Sequence, residues 1–173
     1  MANNYRDDAL KSRRDFELFG RDALKRYFDT DLVFTTEGHE NEFATALDRM
    51  HGIDALVVDS YGKIHGVSCR FQRDHNYSAF SRRRTRPSGT MTEHDKDIKA
   101  SKAGLVTADY ALQGFIIDGG REAILGIAPM CDIRAYTLNN PDQWHKNKND
   151  GSTFFSIPFR AVGAVVYREQ LPF

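Results

Sequence analysis

Apolar residues recur at helical spacing from about Tyr5 to Phe28, where Phe16, Phe19, Ala23 and Tyr27, with Leu24 and Phe28 beside them, are separated by charges. That period predicts one amphipathic helix. Leu32-Val33-Phe34 reads as a short strand, and Glu37 to Met50 as a second helix with Phe43, Ala46, Leu47 and Met50 on one side. Residues 53–59 and 63–72 then read as neighbouring strands around a Tyr61-Gly62 turn. Thr90 or Thr92 can cap a helix running to about Lys102, with Glu93 and Asp95 in its first turn and Gly104 as its stop. Tyr110 to Asp118 and Glu122 to Ile127 predict two strands joined by Asp118-Gly119-Gly120-Arg121. A short helix from Cys131 to Leu138 is broken by Asn139-Asn140-Pro141-Asp142, and Trp144 anchors a loop over Lys146 to Ser152. Thr153 to Tyr167 supplies further β-type segments, with Pro158 placing that region at a sheet edge.

Strands and helices mix without strict alternation, so the expected fold is mixed α/β (α+β), a central mixed sheet flanked by helices. At 173 residues, 40% of them hydrophobic, the chain is long enough to form one domain, 1–173, around a full core.

Lysine plus arginine and aspartate plus glutamate both number 24, so net charge points to no polyanionic partner and any such site must come from local clustering. One segment is asymmetric. From residue 70 to 87 the chain carries Arg70, Arg73, Arg82, Arg83, Arg84 and Arg86 against a single acid, Asp74, with Phe71, His75, Tyr77 and Phe80 interleaved. Read as a loop, it suits single-stranded or distorted nucleic acid, where guanidinium groups meet phosphates and rings stack on bases; an acidic protein surface is the other partner it fits. No apolar run approaches a membrane span, and Cys69 and Cys131 lack metal-ligand spacing, which points to a reducing, cytoplasmic setting. The six histidines form no tight zinc-binding pair, and neither a Gly-x-Ser-x-Gly elbow nor a phosphate-cradling Gly-x-x-x-x-Gly-Lys motif occurs.

The strand pair carries the chemistry. Asp54 opens the first strand and the triplet Ser68-Cys69-Arg70 lies in the second, with Ser68 and Arg70 on one face, where Asp54 is expected to meet them across the hairpin, and Val67, Cys69 and Phe71 on the other. This layout resembles the PD-(D/E)XK nuclease superfamily, with its restriction-endonuclease-like core: an acid at the start of one strand and an acid-x-lysine triplet on the next. Asp54 matches the first acid. Ser68 stands in place of the second, and Arg70 in place of the lysine; a serine binds a divalent cation far more weakly than a carboxylate, and an arginine stays protonated.

The resemblance implies a core over residues 5–127, with 128–173 as a C-terminal strand extension in which Asn149-Asp150-Gly151-Ser152-Thr153-Phe154 looks like a loop of some small superfamily members. It also implies Mg²⁺ or Mn²⁺ as cofactor, held by Asp54 and the Cys69 carbonyl. A second carboxylate would come from Glu17, or from Glu40 or Glu42. Lys96 or Lys99 would replace the missing lysine, while Arg70 would stabilise the phosphate. The expected activity is nucleic-acid hydrolysis by a small phage or mobile-element protein, with a homodimer as the form that superfamily members cutting both strands often take. The alternative is a degenerate nuclease fold that binds nucleic acid or inhibits a host complex. A structural protein whose arginines meet an acidic partner is a third reading.

Overall fold

The computed structural model describes residues 5–36, 42–73, 75–148 and 150–171. Helix α1 (Tyr5–Asp15) passes through a π-helical turn (Phe16–Gly20) into α2 (Arg21–Phe28), so the long amphipathic segment is one helical path with a wide turn in its middle. Then come β1 (Val33–Thr35), α3 (Glu42–His51), β2 (Ala55–Val58) and β3 (Ile64–Arg73). These are followed by β4 (Ala79–Thr85), α4 (Glu93–Lys102), β5 (Tyr110–Ile117), β6 (Glu122–Pro129) and α5 (Met130–Asn139). The chain ends with β7 (Trp144–Lys146), β8 (Thr153–Pro158), a 3₁₀ turn (Phe159–Val162) and β9 (Val165–Gln170).

Six strands form the central mixed sheet in the order β1-β2-β3-β5-β6-β9, and three more form a second sheet, β4-β8-β7. In the central sheet β1, β2 and β3 run as an antiparallel meander, with Ala55 opposite Val67. After β4, the chain crosses over through α4 and returns as β5, parallel to β3. The crossover helix begins as its sequence requires: the Thr92 hydroxyl accepts from Asp95 N–H, and the Asp95 carboxylate accepts from Thr92 N–H.

Strand alternation divides the core in two. One face of the central sheet, through Val57, Val67, Leu112, Leu125 and Ile127, packs on Phe16, Phe19 and Leu24 of the N-terminal helical segment. Phe115 and Ala128 on the other face meet Phe80, Ile133, Phe155, Ile157 and Phe159. Phe159 packs against β6 at Gly126, where a Cβ would come within 2.4 Å of its ring. Among the described residues no helix is long and apolar enough to cross a membrane.

Two expectations change. The arginine-rich segment is not a loop: residues 79–85 form β4, whose inward positions are Phe80 and Arg82 rather than an apolar row. Nor is Pro158 on an edge strand: β8 is the middle strand of its sheet, but β7 pairs only with residues 153–155, so at Pro158 β8 has β4 alone beside it and the missing N–H interrupts no ladder on the β7 side.

Candidate functional site

Asp54 stands one residue before β2, held by its main chain between two neighbours: its N–H donates to Val67 O at 2.9 Å, and its carbonyl accepts from Thr36 N–H at 2.9 Å. Cys69 N–H donates to Asp54 Oδ2 at 2.6 Å. Beyond this point β2 is absent while β3 continues to Arg73, so the sheet opens. A strand residue's N–H and C=O point the same way, so the Cys69 carbonyl faces the opening that holds the Asp54 carboxylate.

A crevice of about 10 Å³ lies there, lined by Asp54, Ser12, Arg13, Phe16, Thr35, Cys69 and Phe71. That is room for roughly one water-sized sphere. Phe16 begins the π-helical turn, an irregularity frequent at functional sites. The turn lies close on β3: a Cβ on Gly20 would come within 2.9 Å of the Phe16 and Phe71 rings. Arg13 and Ser12 of α1 escaped the sequence reading because the exposed side of an amphipathic helix carries no mark of what it approaches.

The β3 triplet divides between the faces of the sheet as expected, but Asp54 meets Cys69 and Phe71 rather than Ser68 and Arg70, because its carboxylate turns to the side of the N-terminal helices. Cys69 and Phe71 join the core beneath the N-terminal helices. Ser68 is half-buried on the opposite face, and Arg70 Nη1 reaches Ser81 O of β4 at 3.4 Å. The buried Gln113 amide donates to Arg70 O at 3.2 Å, and its Oε1 accepts from Ser81 N–H at 3.4 Å, fastening the second sheet to the first.

Glu17 is exposed and chelates Arg21, Nε and Nη2 each at 2.8 Å, which holds its carboxyl below the usual carboxylate range. Its helix-mate Arg13, rather than Glu17, lines the Asp54 crevice. Lys96 and Lys99 lie on the solvent side of α4, whereas Asp97 and Ala100 face inward. Glu42 is exposed, and Glu40 lies outside the described residues.

The arginines are used in several ways. Arg73 forms an ion pair with Asp15, whose carboxyl is buried and pushed up by that burial against the pull of the guanidinium. Arg82 donates to Asp97 Oδ2 at 3.2 Å, and Arg134 of α5 clasps the same carboxylate through Nε at 3.0 Å and Nη2 at 2.6 Å. Burial would raise the Asp97 pKa, but the two guanidinium groups together hold it below the usual range. Arg84 lies over the Trp144 ring, 5.3 Å from its centroid, and Arg83 and Arg86 are half-buried.

The oxygens at the crevice, a carboxylate, a main-chain carbonyl and two hydroxyls, are the donor type that magnesium and manganese take. They fit in kind. Among the described residues no three histidine, cysteine, aspartate or glutamate side chains converge to hold a metal, so Asp54 is the only carboxylate lining the crevice. The larger surface depression, about 370 Å³ between α5 and residues 161–162, shares no residue with it. Comparison with protein-family models, curated proteins and solved structures gave no match.

Proposed function

We propose that this chain is a small nucleic-acid phosphodiester hydrolase of the PD-(D/E)XK type, with Asp54 as its central acid. The supporting observation is the chain path around Asp54. A helix, the antiparallel strands β1, β2 and β3, the α4 crossover and β5 parallel to β3 follow in the order of that superfamily's core, with α3 inserted between β1 and β2 and β4 between β3 and α4, and Asp54 lies where β2 leaves β3. Mg²⁺ or Mn²⁺, held by the Asp54 carboxylate and the Cys69 carbonyl, would supply a bound water acidic enough to attack phosphate near neutral pH. With Asp54 the one carboxylate lining the crevice among the described residues, such an ion would take much of its shell from water and substrate phosphate oxygens, as magnesium commonly does. Arg13 shares the crevice, and its planar fork matches phosphate oxygens; it fits the counter-charge role that the sequence suggests for Arg70.

One observation favours a second reading. With Asp54 as the only crevice carboxylate among the described residues, and Arg70 directed to Ser81, the chain also suits a degenerate nuclease fold that binds nucleic acid or a host protein without cutting. Metal linkage separates the two. Mg²⁺ or Mn²⁺ should raise the melting temperature of the wild type and not of Asp54→Asn if the site is live. No shift in either protein favours the binding module. Cleavage of labelled DNA or RNA that is unchanged in Asp54→Ala would remove the site altogether.

A further inference from the structure

The chain's charge is balanced as a whole but not sheet by sheet. Residues 79–86 and 144–158, which build β4, β7, β8 and their flanks, carry six lysines and arginines against one acid, Asp150. Folding brings Lys146 and Lys148, more than fifty residues along the chain, to the sheet that carries the arginine run. The register sorts their neighbours. Arg82, Phe155 and Trp144 form one cross-strand row, and Phe155 belongs to the core. Arg83, Phe154 and His145 form the next row, which alternation turns to the other face. There Phe154 is half-buried between a half-buried arginine and an exposed imidazole, with the His145 and Phe154 ring centroids 5.6 Å apart. Beside them Ser81 opposes Ser156.

We infer that this outward face of the β4-β8-β7 sheet is a binding platform for single-stranded nucleic acid. A ring on the outer face of the sheet offers a π-face for an unpaired base, the His145 imidazole lies beside it on one strand, and the Arg83 guanidinium on the other can meet a phosphate. Duplex DNA hides its base faces in the stack, so the aromatic part of the row favours single strands. Of the strand cations the register turns Arg83 to this face, while Arg82, Arg84 and Lys146 lie on the side of Trp144 and Phe155; the Arg83 guanidinium beside the ring favours a phosphate-bearing ligand over a neutral peptide. An acidic protein segment would satisfy the cations but would gain nothing specific from the ring, and it is the alternative the test must expose. The inference rests on the reading that the chain handles nucleic acid, but it does not depend on Asp54.

The test measures binding of fluorescent single-stranded DNA, single-stranded RNA and duplex DNA, each about 20 nucleotides long, to Asp54→Asn protein in chelator, so that hydrolysis cannot intrude. Single strands should bind more tightly than duplex. Phe154→Ala should weaken single-strand binding on the order of tenfold and leave duplex binding unchanged. Phe154→Leu, which keeps the apolar volume without the ring, should show most of the same loss, so a folding defect cannot account for it. Arg83→Gln should reduce the slope of log affinity against log salt by about one. The platform is overturned if both Phe154 variants bind single strands like the parent, if duplex is preferred, or if an acidic peptide binds as well as the oligonucleotides. Metal-dependent cleavage by otherwise wild-type protein, assayed in parallel, keeps the two ideas apart. Asp54-dependent cutting without Phe154-dependent binding removes the platform alone, and Phe154-dependent binding without cutting removes the hydrolase alone.

Discussion

Two buried aspartates on different elements meet arginine with opposite results. Asp15, at the end of α1, has Arg73 beside it, but that guanidinium is 39% exposed and part of its charge is spent on water. Burial prevails there, and the carboxyl is harder to ionise than a free one. Asp97, on α4, is met by Arg82 and Arg134, only 12% and 18% exposed, and with two partners the attraction outweighs the cost of burial. Desolvation alone therefore does not set the state of a buried carboxyl; the number and dryness of its partners decide the sign. The same comparison shows how the arginine run is divided. Alternation along β4 sends Arg82 inward to a structural ion pair and Arg83 outward, so neighbouring identical residues serve different ends.

The strongest way to break the comparison is to remove Asp97. Asp97→Ala removes the carboxylate that Arg82 and Arg134 share while both guanidinium groups stay largely buried, and should cost about 3–5 kcal/mol in urea unfolding. A triple replacement of Arg82, Asp97 and Arg134 by Met, Leu and Leu should recover most of that loss, since the penalty lies in burying two cations deprived of their shared carboxylate. If Asp97→Ala costs less than about 1 kcal/mol, the triad is not the structural clasp described here.

Thr92→Ala sharpens the picture by weakening the helix that carries Asp97 without touching the ion pair. Loss of the reciprocal cap should cost about 1 kcal/mol and leave the Asp97→Ala effect close to additive with it. Strong non-additivity would mean that the cap and the clasp act as one unit.

Asp15→Asn should have the smallest effect and a distinctive dependence on pH. The folded Asp15 pKa lies above its ordinary value near 3.8, so ionised Asp15 favours the unfolded chain at neutral pH, and wild type gains stability from this group as pH falls through the raised pKa towards 3.8. Asp97 behaves in the opposite sense. Its stabilisation is fully present above 3.8 and is lost as pH falls through its lowered folded pKa. Urea midpoints of wild type and Asp15→Asn followed from pH 7 to 4 should therefore shift in favour of wild type as acid is added. A shift the other way would reverse the assignment.

Much of the central sheet could be read from the chain because its signals are local. The apolar runs of β2, β5 and β6, the Gly-rich turn at 118–120 and the Thr92 cap are each decided by neighbours within a few residues. β4 could not be read that way. At Arg82 an inward strand position is filled by a cation that pairs with Asp97 of α4, a carboxylate it shares with Arg134 of α5, and that arrangement exists only after folding. The three-residue β7 is exposed throughout and has no periodicity to detect. At the candidate site, Asp54 and Cys69 were readable from the strand pair. Ser12, Arg13 and Thr35 were not, because tertiary packing brings α1 and β1 to the mouth of the opening.

The central claim is that the opening between β2 and β3 at Asp54 is the reactive site, and one measurement bears on it most directly. Initial rates of cleavage should be compared for wild type and Asp54→Ala on single-stranded and duplex DNA and RNA, with Mg²⁺, with Mn²⁺ and with chelator, after melting curves establish that both proteins are folded. The account predicts metal-dependent cleavage by wild type and none by a folded Asp54→Ala. No cleavage of any substrate by wild type, or cleavage that survives in the variant, would contradict it.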